Sequence, residues 1–215
     1  MTLRRREFVS LSALALAGCL GNGGSAEGSS TSFDDHPSTR GIETAAVLGD
    51  EDSEKRIVAF EDPSCPTCAR FSRETLPLLE EDAENGELAF YLRAVPFIRR
   101  WSETATPALY ATGERDADAF WTLLESYYGN QASLSTDNVD EMTRDFLADT
   151  SVDADDVLAK ADNGTQDSTV QTAVGAARDA GIGATPTFYL FDEDGFVTDT
   201  SGARDYNVFA TSLGL

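Results

Sequence analysis

Cys65 and Cys68 stand three residues apart, with Pro66 and Thr67 between them. Two thiols at that spacing face the same side of a helix and can close to a disulfide or open to a dithiol. The chemistry they offer is two-electron thiol–disulfide exchange. Pro66 suits the first position of a helix, where its missing N–H is no loss, and this puts Cys65 at the cap. A sulfur there meets unpaired backbone N–H groups and the positive end of the helix dipole, both of which favour thiolate over thiol. Cys65 is therefore the expected nucleophile and Cys68 the shielded resolving residue. The pair also fits a structural disulfide or half of a zinc site. Zinc needs four ligands, and the other candidates, Cys19 and His36, both lie near the N-terminus, so no metal is expected.

The elements around the pair follow from its flanks. Ile57-Val58-Ala59-Phe60 is a short apolar run that suits a buried strand, and Glu61-Asp62-Pro63-Ser64 breaks it before the helix. Cys68, Phe71, Thr75, Leu78 and Leu79 recur at helical spacing; Pro77 is expected to kink that helix or start a new segment, and Asn85-Gly86 to end it. Leu88, Phe90, Leu92 and Ala94 alternate along a second strand that stops before Pro96, completing a βαβ unit with parallel strands. From Ser102 to Ala180 the pattern is helical throughout. Its clearest stripe is Phe120, Leu123, Leu124, Tyr127 and Tyr128, read as core packing. Strands return at 187–191 and 196–198 around an Asp194-Gly195 turn, and a helix over 206–213 closes the chain. The fold class is α/β: a mixed central sheet flanked by helices, with a helical insertion over about 102–180 between the βαβ unit and the C-terminal hairpin.

Of 215 residues, 41% are hydrophobic, enough for one domain with a filled core. The formal net charge is −22 and the pI about 4.1, which argues against nucleic acid or an anionic membrane surface as partner. Acidic residues are spread through every segment and Lys occurs only at Lys55 and Lys160, the pattern of a halophilic surface. In molar salt the Debye length is only about 3 Å, so the self-repulsion is screened.

Arg4-Arg5-Arg6-Glu7-Phe8-Val9 precedes an apolar run, Leu11 to Ala17, that is too short to span a bilayer. Residues 1–18 are read as an export signal of the twin-arginine type. Leu16-Ala17-Gly18-Cys19 is similar to a lipobox, which makes Cys19 the lipidated first residue of the mature protein and anchors it to the outer face of the membrane. Residues 19–41, rich in Gly and Ser, are expected to be a flexible tether that carries His36 as a solvated residue, and the domain is expected to begin near Ile42. Asn163-Gly164-Thr165 is a glycosylation sequon on an expected loop. With the signal and anchor removed, Cys65 and Cys68 are the domain's only cysteines, which favours a pair that is used over one that is structural.

Phe60-Glu61-Asp62-Pro63-Ser64-Cys65-Pro66-Thr67-Cys68 with Phe71, together with Gly183-Ala184-Thr185-Pro186-Thr187-Phe188, resembles the DsbA-like branch of the thioredoxin superfamily. The resemblance runs from about Ala46 to the C-terminus. It implies a thioredoxin fold, no cofactor, and disulfide exchange with exported protein substrates and with a membrane or soluble redox partner. It further implies a cis peptide between Thr185 and Pro186, placed to bind substrate beside Cys65, with Pro66, Thr67 and Asp62 supporting the site. By residue statistics alone Pro186 is an ordinary trans proline at a strand start.

Two positions depart from the family pattern. Ala59 stands where many relatives carry a buried carboxylate that moves protons for the inner thiol, so water or another group is needed, with Glu61 and Asp62 nearby in sequence. Thr67 replaces a histidine that would support the thiolate. A Cys65 pKa between the reference values of about 7 for thioredoxin and about 3.5 for DsbA is expected, and with it a milder oxidant. Isomerases of the superfamily use a dimerisation module, and nothing over 25–42 is large enough for one, so a monomeric oxidase ranks above a reductase and an isomerase third. The reading from another class is a lipid-anchored binding or chaperone module stapled by a structural disulfide.

Overall fold

The computed structural model describes residues 31–215. The expected export signal over 1–18, Cys19 and the first part of the expected tether lie outside the described residues. The sheet has five strands in the order β1-β3-β2-β4-β5: β1 (Ala46–Gly49), β2 (Arg56–Glu61), β3 (Ala89–Ala94), β4 (Thr187–Asp192) and β5 (Gly195–Ser201). β2 and β3 are parallel, while β1 pairs antiparallel with β3, β4 with β2, and β5 with β4, so the sheet is mixed. Among the described residues eight α-helices accompany these strands: α1 (Pro66–Glu74), α2 (Leu76–Glu84), α3 (Ser102–Gly113), α4 (Ala117–Asn130), α5 (Val139–Leu147), α6 (Ala154–Asp162), α7 (Asp167–Asp179) and α8 (Tyr206–Leu213).

Pro77 separates α1 from α2, with Thr75 between them, because a proline inside a continuous helix would clash with the preceding turn. α3 through α7 fill the crossover from β3 to β4. The β4–β5 hairpin turns through Glu193 and Asp194 into Gly195, whose φ of 112° a side chain would strain. β1 was not expected: Ala46-Val47-Leu48-Gly49 is too short to show a strand period, and it forms because β3 offers an open edge.

Register partners share a face of the sheet. Ala59, Leu92 and Phe188 lie on one face, and Phe60, Arg93 and Thr187 on the other. On the first face Phe71 of α1 packs its ring against Phe90, Phe188 and Phe209 and is completely buried. Burial of a side chain of that size stabilises the fold by about 2–3 kcal/mol, and this contact fixes α1, and with it the cysteines, to the sheet.

The opposite face corrects the tether. Phe33 packs edge-on to Phe191, and His36 stacks on Phe196 at a ring separation of 4.8 Å while also touching Tyr189 and Phe191. Ser38 and Thr39 are buried, and the fully buried Arg93 donates to the Ser38 carbonyl at 2.7 Å while lying over the Phe60 ring. The folded part therefore reaches back to about Phe33 rather than starting near Ile42, and His36 is a packed residue rather than a solvated one. The physical reason is the aromatic face of β4 and β5, which needs a cover that a Gly/Ser composition farther upstream conceals. Burial pushes the His36 pKa down, opposed by the charge of Asp199.

Candidate active site

β2 delivers the chain to the site and α1 carries it away. The turn between them is closed by the Cys65 amide donating to the Asp62 carbonyl at 2.9 Å. Cys65 is the N-cap of α1 with extended backbone, and Pro66 occupies the first turn. The Cys65 sulfur accepts from the Cys68 amide at 3.3 Å, so it takes up one of the donors that a helix start leaves unpaired. Both cysteines are free thiols, Cys65 with 2% of its surface exposed and Cys68 with none. Pro66 is exposed and Thr67 half-buried, so the outer rim of the motif faces solvent.

The second wall comes from the start of β4. The Thr185–Pro186 peptide is cis. The Cys65 sulfur lies 3.2 Å from the Thr185 carbonyl, to which it donates when protonated, and this contact joins two loops 120 residues apart. The Thr185 hydroxyl is buried next to this contact with no hydrogen-bond partner among the described residues. A groove of about 320 Å³ is lined by Ala184, Thr187, Tyr189 and Ser201, which lie next to Thr185 and Pro186 in the chain or on the paired strand β5. A larger cavity of about 570 Å³, walled by Glu43, Val47, Tyr110 and Phe120, includes none of these residues.

The two thiols are held in unlike states. The Cys65 thiol is brought down to about 6, chiefly by the hydrogen bond from the Cys68 side chain; burial opposes this, and the side chain of Thr185 and the amides of Cys68 and Thr67 add to it. The Cys68 thiol is pushed well up, first by burial, then by the hydrogen bond it gives Cys65 and by the charges of Glu61 and Cys65. At neutral pH Cys65 is thus a thiolate and Cys68 a thiol. The Cys65 value falls between the two reference pKa values for such motifs.

Glu61 and Asp62 diverge at the end of β2. Glu61 lies on the same face as Ala59, two residues farther along the strand, and is 1% exposed. Its Oε2 accepts from the Tyr128 hydroxyl of α4 at 2.5 Å, and its Oε1 has no partner among the described residues. Burial lifts its pKa to about 8, the Tyr128 bond opposes that rise, and the Cys65 charge adds to it. A buried carboxyl that is neutral at pH 7 and electrostatically coupled to both sulfurs therefore lies close to the position that Ala59 leaves empty. Asp62 is fully buried and accepts four hydrogen bonds: from the Ser64 amide and hydroxyl on Oδ1, each at 2.6 Å, and from the Phe97 and Ile98 amides on Oδ2 at 2.6 and 2.7 Å. It ties the loop after β3 to the loop before Cys65.

Sequence reasoning missed Gln131. At the C-terminal end of α4, its amide donates to the carbonyls of Pro63 and Cys65, both at 2.9 Å. No local pattern announces this contact, since the carbonyls it meets are 68 and 66 residues away. Tyr128, read as core from its stripe, is core and also the partner of Glu61. The structure brings together Cys65, Cys68, Pro66, Thr67, Asp62, Thr185 and Pro186. Among the described residues no group of three or more His, Cys, Asp or Glu side chains is placed to hold a metal, and no helix is long and apolar enough to cross a membrane.

Comparison with known proteins bears on this geometry. The family described as thioredoxin matches residues 42–201. Disulfide bond formation protein D of Bacillus subtilis (strain 168) is 26% identical over 158 residues, covering 71% of this chain and 70% of its own. Among solved structures, oxidised BdbD from Bacillus subtilis superposes with a TM-score of 0.69 at 24% identity, covering 81% of this chain and 95% of that one. Wolbachia pipientis alpha-DsbA1 gives 0.66 at 17% identity, covering 78% and 87%. This chain belongs to the thioredoxin family and has the fold of its DsbA-like disulfide oxidoreductases.

Proposed function

We propose that this protein is an extracytoplasmic thiol–disulfide oxidoreductase that passes a disulfide from Cys65 and Cys68 to exported proteins. The observation that carries the proposal is the unequal state of the two sulfurs, Cys65 brought down to about 6 and Cys68 pushed up. A low pKa on the outer thiol stabilises the reduced form, which makes the disulfide an oxidant. In the oxidised form, a substrate thiolate attacks the Cys65 sulfur, the Cys65–Cys68 bond breaks, and Cys68 leaves as a thiolate. Glu61, neutral at this pH, gives that thiolate a proton. The substrate's second thiolate then attacks its own sulfur in the mixed disulfide and expels Cys65 as a thiolate. Two electrons pass from substrate to the cysteine pair. Of the two substrate protons, one replaces the proton taken from Glu61 and one is released to solvent.

Thr185 and Pro186 supply the backbone edge on which an extended substrate lies beside Cys65. The export signal over 1–18 and lipidation at Cys19 would hold the domain at the outer face of the membrane on a tether shorter than 19–41. A membrane or soluble redox partner would reoxidise the pair. The protein acts as a monomer and does not engage nucleic acid, and its acidic surface fits a halophilic host.

The test is trapping in cells. The Cys68→Ser variant is expected to accumulate mixed disulfides with exported proteins. Cys65→Ser is expected to lower disulfide transfer to a reduced test protein by at least about 10³-fold, the scale of losing an activated nucleophile. Glutathione equilibration should place the potential between about −270 and −120 mV. Transfer by Cys65→Ser at the parent rate would overturn the proposal.

A further inference from the structure

Phe97 and Ile98 are 41% and 51% exposed, and among the described residues only five large apolar side chains stand out in solvent. These two are neighbours, and the loop that displays them is not slack. The Phe97 and Ile98 amides both donate to the buried Asp62 carboxylate, and the Arg99 amide donates to the Ser64 hydroxyl at 3.1 Å. On the other side the Arg99 carbonyl accepts from the Ser102 hydroxyl at 2.6 Å and from its amide, and the Arg100 carbonyl from the Glu103 amide, which joins the loop to the start of α3. A buried carboxylate three residues before the nucleophile thus fixes an exposed apolar pair at the rim of the active site. Left without such support, two large apolar side chains in solvent would gain nothing for the fold.

The next two residues add charge. Arg99 and Arg100 are exposed, and among the described residues no carboxylate lies within ion-pair distance of either. What sets them apart is position: in a chain with 38 acidic and 16 basic residues, Arg99 and Arg100 are two adjacent, exposed cations directly beside the exposed apolar pair. Long-range repulsion from the acidic surface is screened beyond about 8 Å at physiological ionic strength, so at contact the unpaired arginines dominate for a chain already at the site.

We infer that Phe97, Ile98, Arg99 and Arg100 form a docking surface for polypeptide partners whose reacting cysteine is flanked by an apolar side chain and carboxylates. The inference rests on the exchange reaction proposed above. An apolar flank covers Phe97 and Ile98, and the carboxylates pair with Arg99 and Arg100 while the cysteine meets Cys65. Repulsion of lysine-flanked cysteines supplies the other half of the selectivity.

The test uses the oxidised full chain and peptides with a cysteine pair flanked by Leu and two Glu, by Leu and two Lys, or by Ser and two Glu, with acid-quenched rates of peptide disulfide formation. The wild-type protein should oxidise the Leu/Glu peptide fastest. Arg99→Glu with Arg100→Glu should shift the Glu-to-Lys rate ratio by about tenfold or more towards Lys, and Phe97→Ser with Ile98→Ser should erase the advantage of Leu over Ser. Because each readout is a ratio within one variant, a general loss of reactivity cancels. Ratios unchanged in both double variants, with exchange intact, overturn the docking surface alone. A folded wild-type protein that oxidises none of the peptides overturns the exchange reading and this inference together.

Discussion

The end of β2 sends two consecutive carboxylates into different regions, and each region gives its carboxylate a different job. On the Asp62 side, four donors converge on two oxygens, and the group is a structural tie between the loop before Cys65 and the loop after β3. On the Glu61 side, one tyrosine hydroxyl meets one oxygen, the other has no partner among the described residues, and burial keeps the group neutral at pH 7. Burial with few donors favours the neutral form of a carboxyl, which is the state of Glu61. The lesson is that a buried acid beside a thiol acts through the number of donors aimed at it rather than its distance along the sequence.

The largest way to break this contrast is at Asp62. Asp62→Ala leaves the Phe97, Ile98 and Ser64 amides without their acceptor, and a loss of about 4 kcal/mol is expected in denaturant unfolding. Asp62→Asn should recover little, because whichever way its amide turns, an NH₂ group faces at least one backbone N–H. A loss under about 1 kcal/mol in either variant would mean that the loop is held by other contacts.

Glu61→Gln should act on pH dependence. In the folded protein the Glu61 pKa of about 8 lies above its ordinary 4.5, so the folded state binds more protons than the unfolded state between these values. Its stabilisation is complete below pH 4.5 and is lost as pH rises towards 8. Cys65, lowered from 9.0 to about 6, has the opposite sign, with stabilisation present above pH 9 and lost as pH falls towards 6, so the two offset each other between pH 6 and 8. From pH 4.5 to 6, below the Cys65 window, the difference in thermal stability between the reduced wild-type protein and the Glu61→Gln variant isolates the Glu61 contribution, and the wild type should lose about 2 kcal/mol relative to the variant. The same variant should slow the step that protonates or deprotonates Cys68 by about 10²-fold at pH 7.

The smallest effect is expected at Gln131. Gln131→Ala removes two neutral hydrogen bonds to the loop carrying Cys65, worth about 1–2 kcal/mol together. A thiol-alkylation profile should show the Cys65 midpoint moving while the Glu61 stability slope stays in place, since Gln131 touches the loop and not the carboxyl.

Much of this site is written in local chemistry. Pro66 and the Cys65–Cys68 spacing place both sulfurs at a helix start without reference to the rest of the chain, and Asp194-Gly195 fixes the hairpin that follows the cis-proline. Thr185-Pro186 read locally as a trans proline, and only the resemblance turned that reading towards cis. The buried Arg93 alternates like an outward residue because a strand pattern cannot tell which face another segment will cover; the segment that covers it, with Phe33, His36 and Ser38, reads as tether for the same reason. β1 is too brief to carry a period and exists only as a partner for β3.

The sequence by itself determined that two thiols meet at a helix N-terminus, because capping and helical spacing act over a few residues. Only the tertiary structure decided what surrounds them. Tyr128 reaches Glu61 across 67 residues, Phe97 reaches Asp62 across 35, and Thr185 reaches Cys65 across 120. The pKa of a buried group depends on burial and partners supplied by those distant elements, so the proton balance of the cysteine pair is a property of the fold.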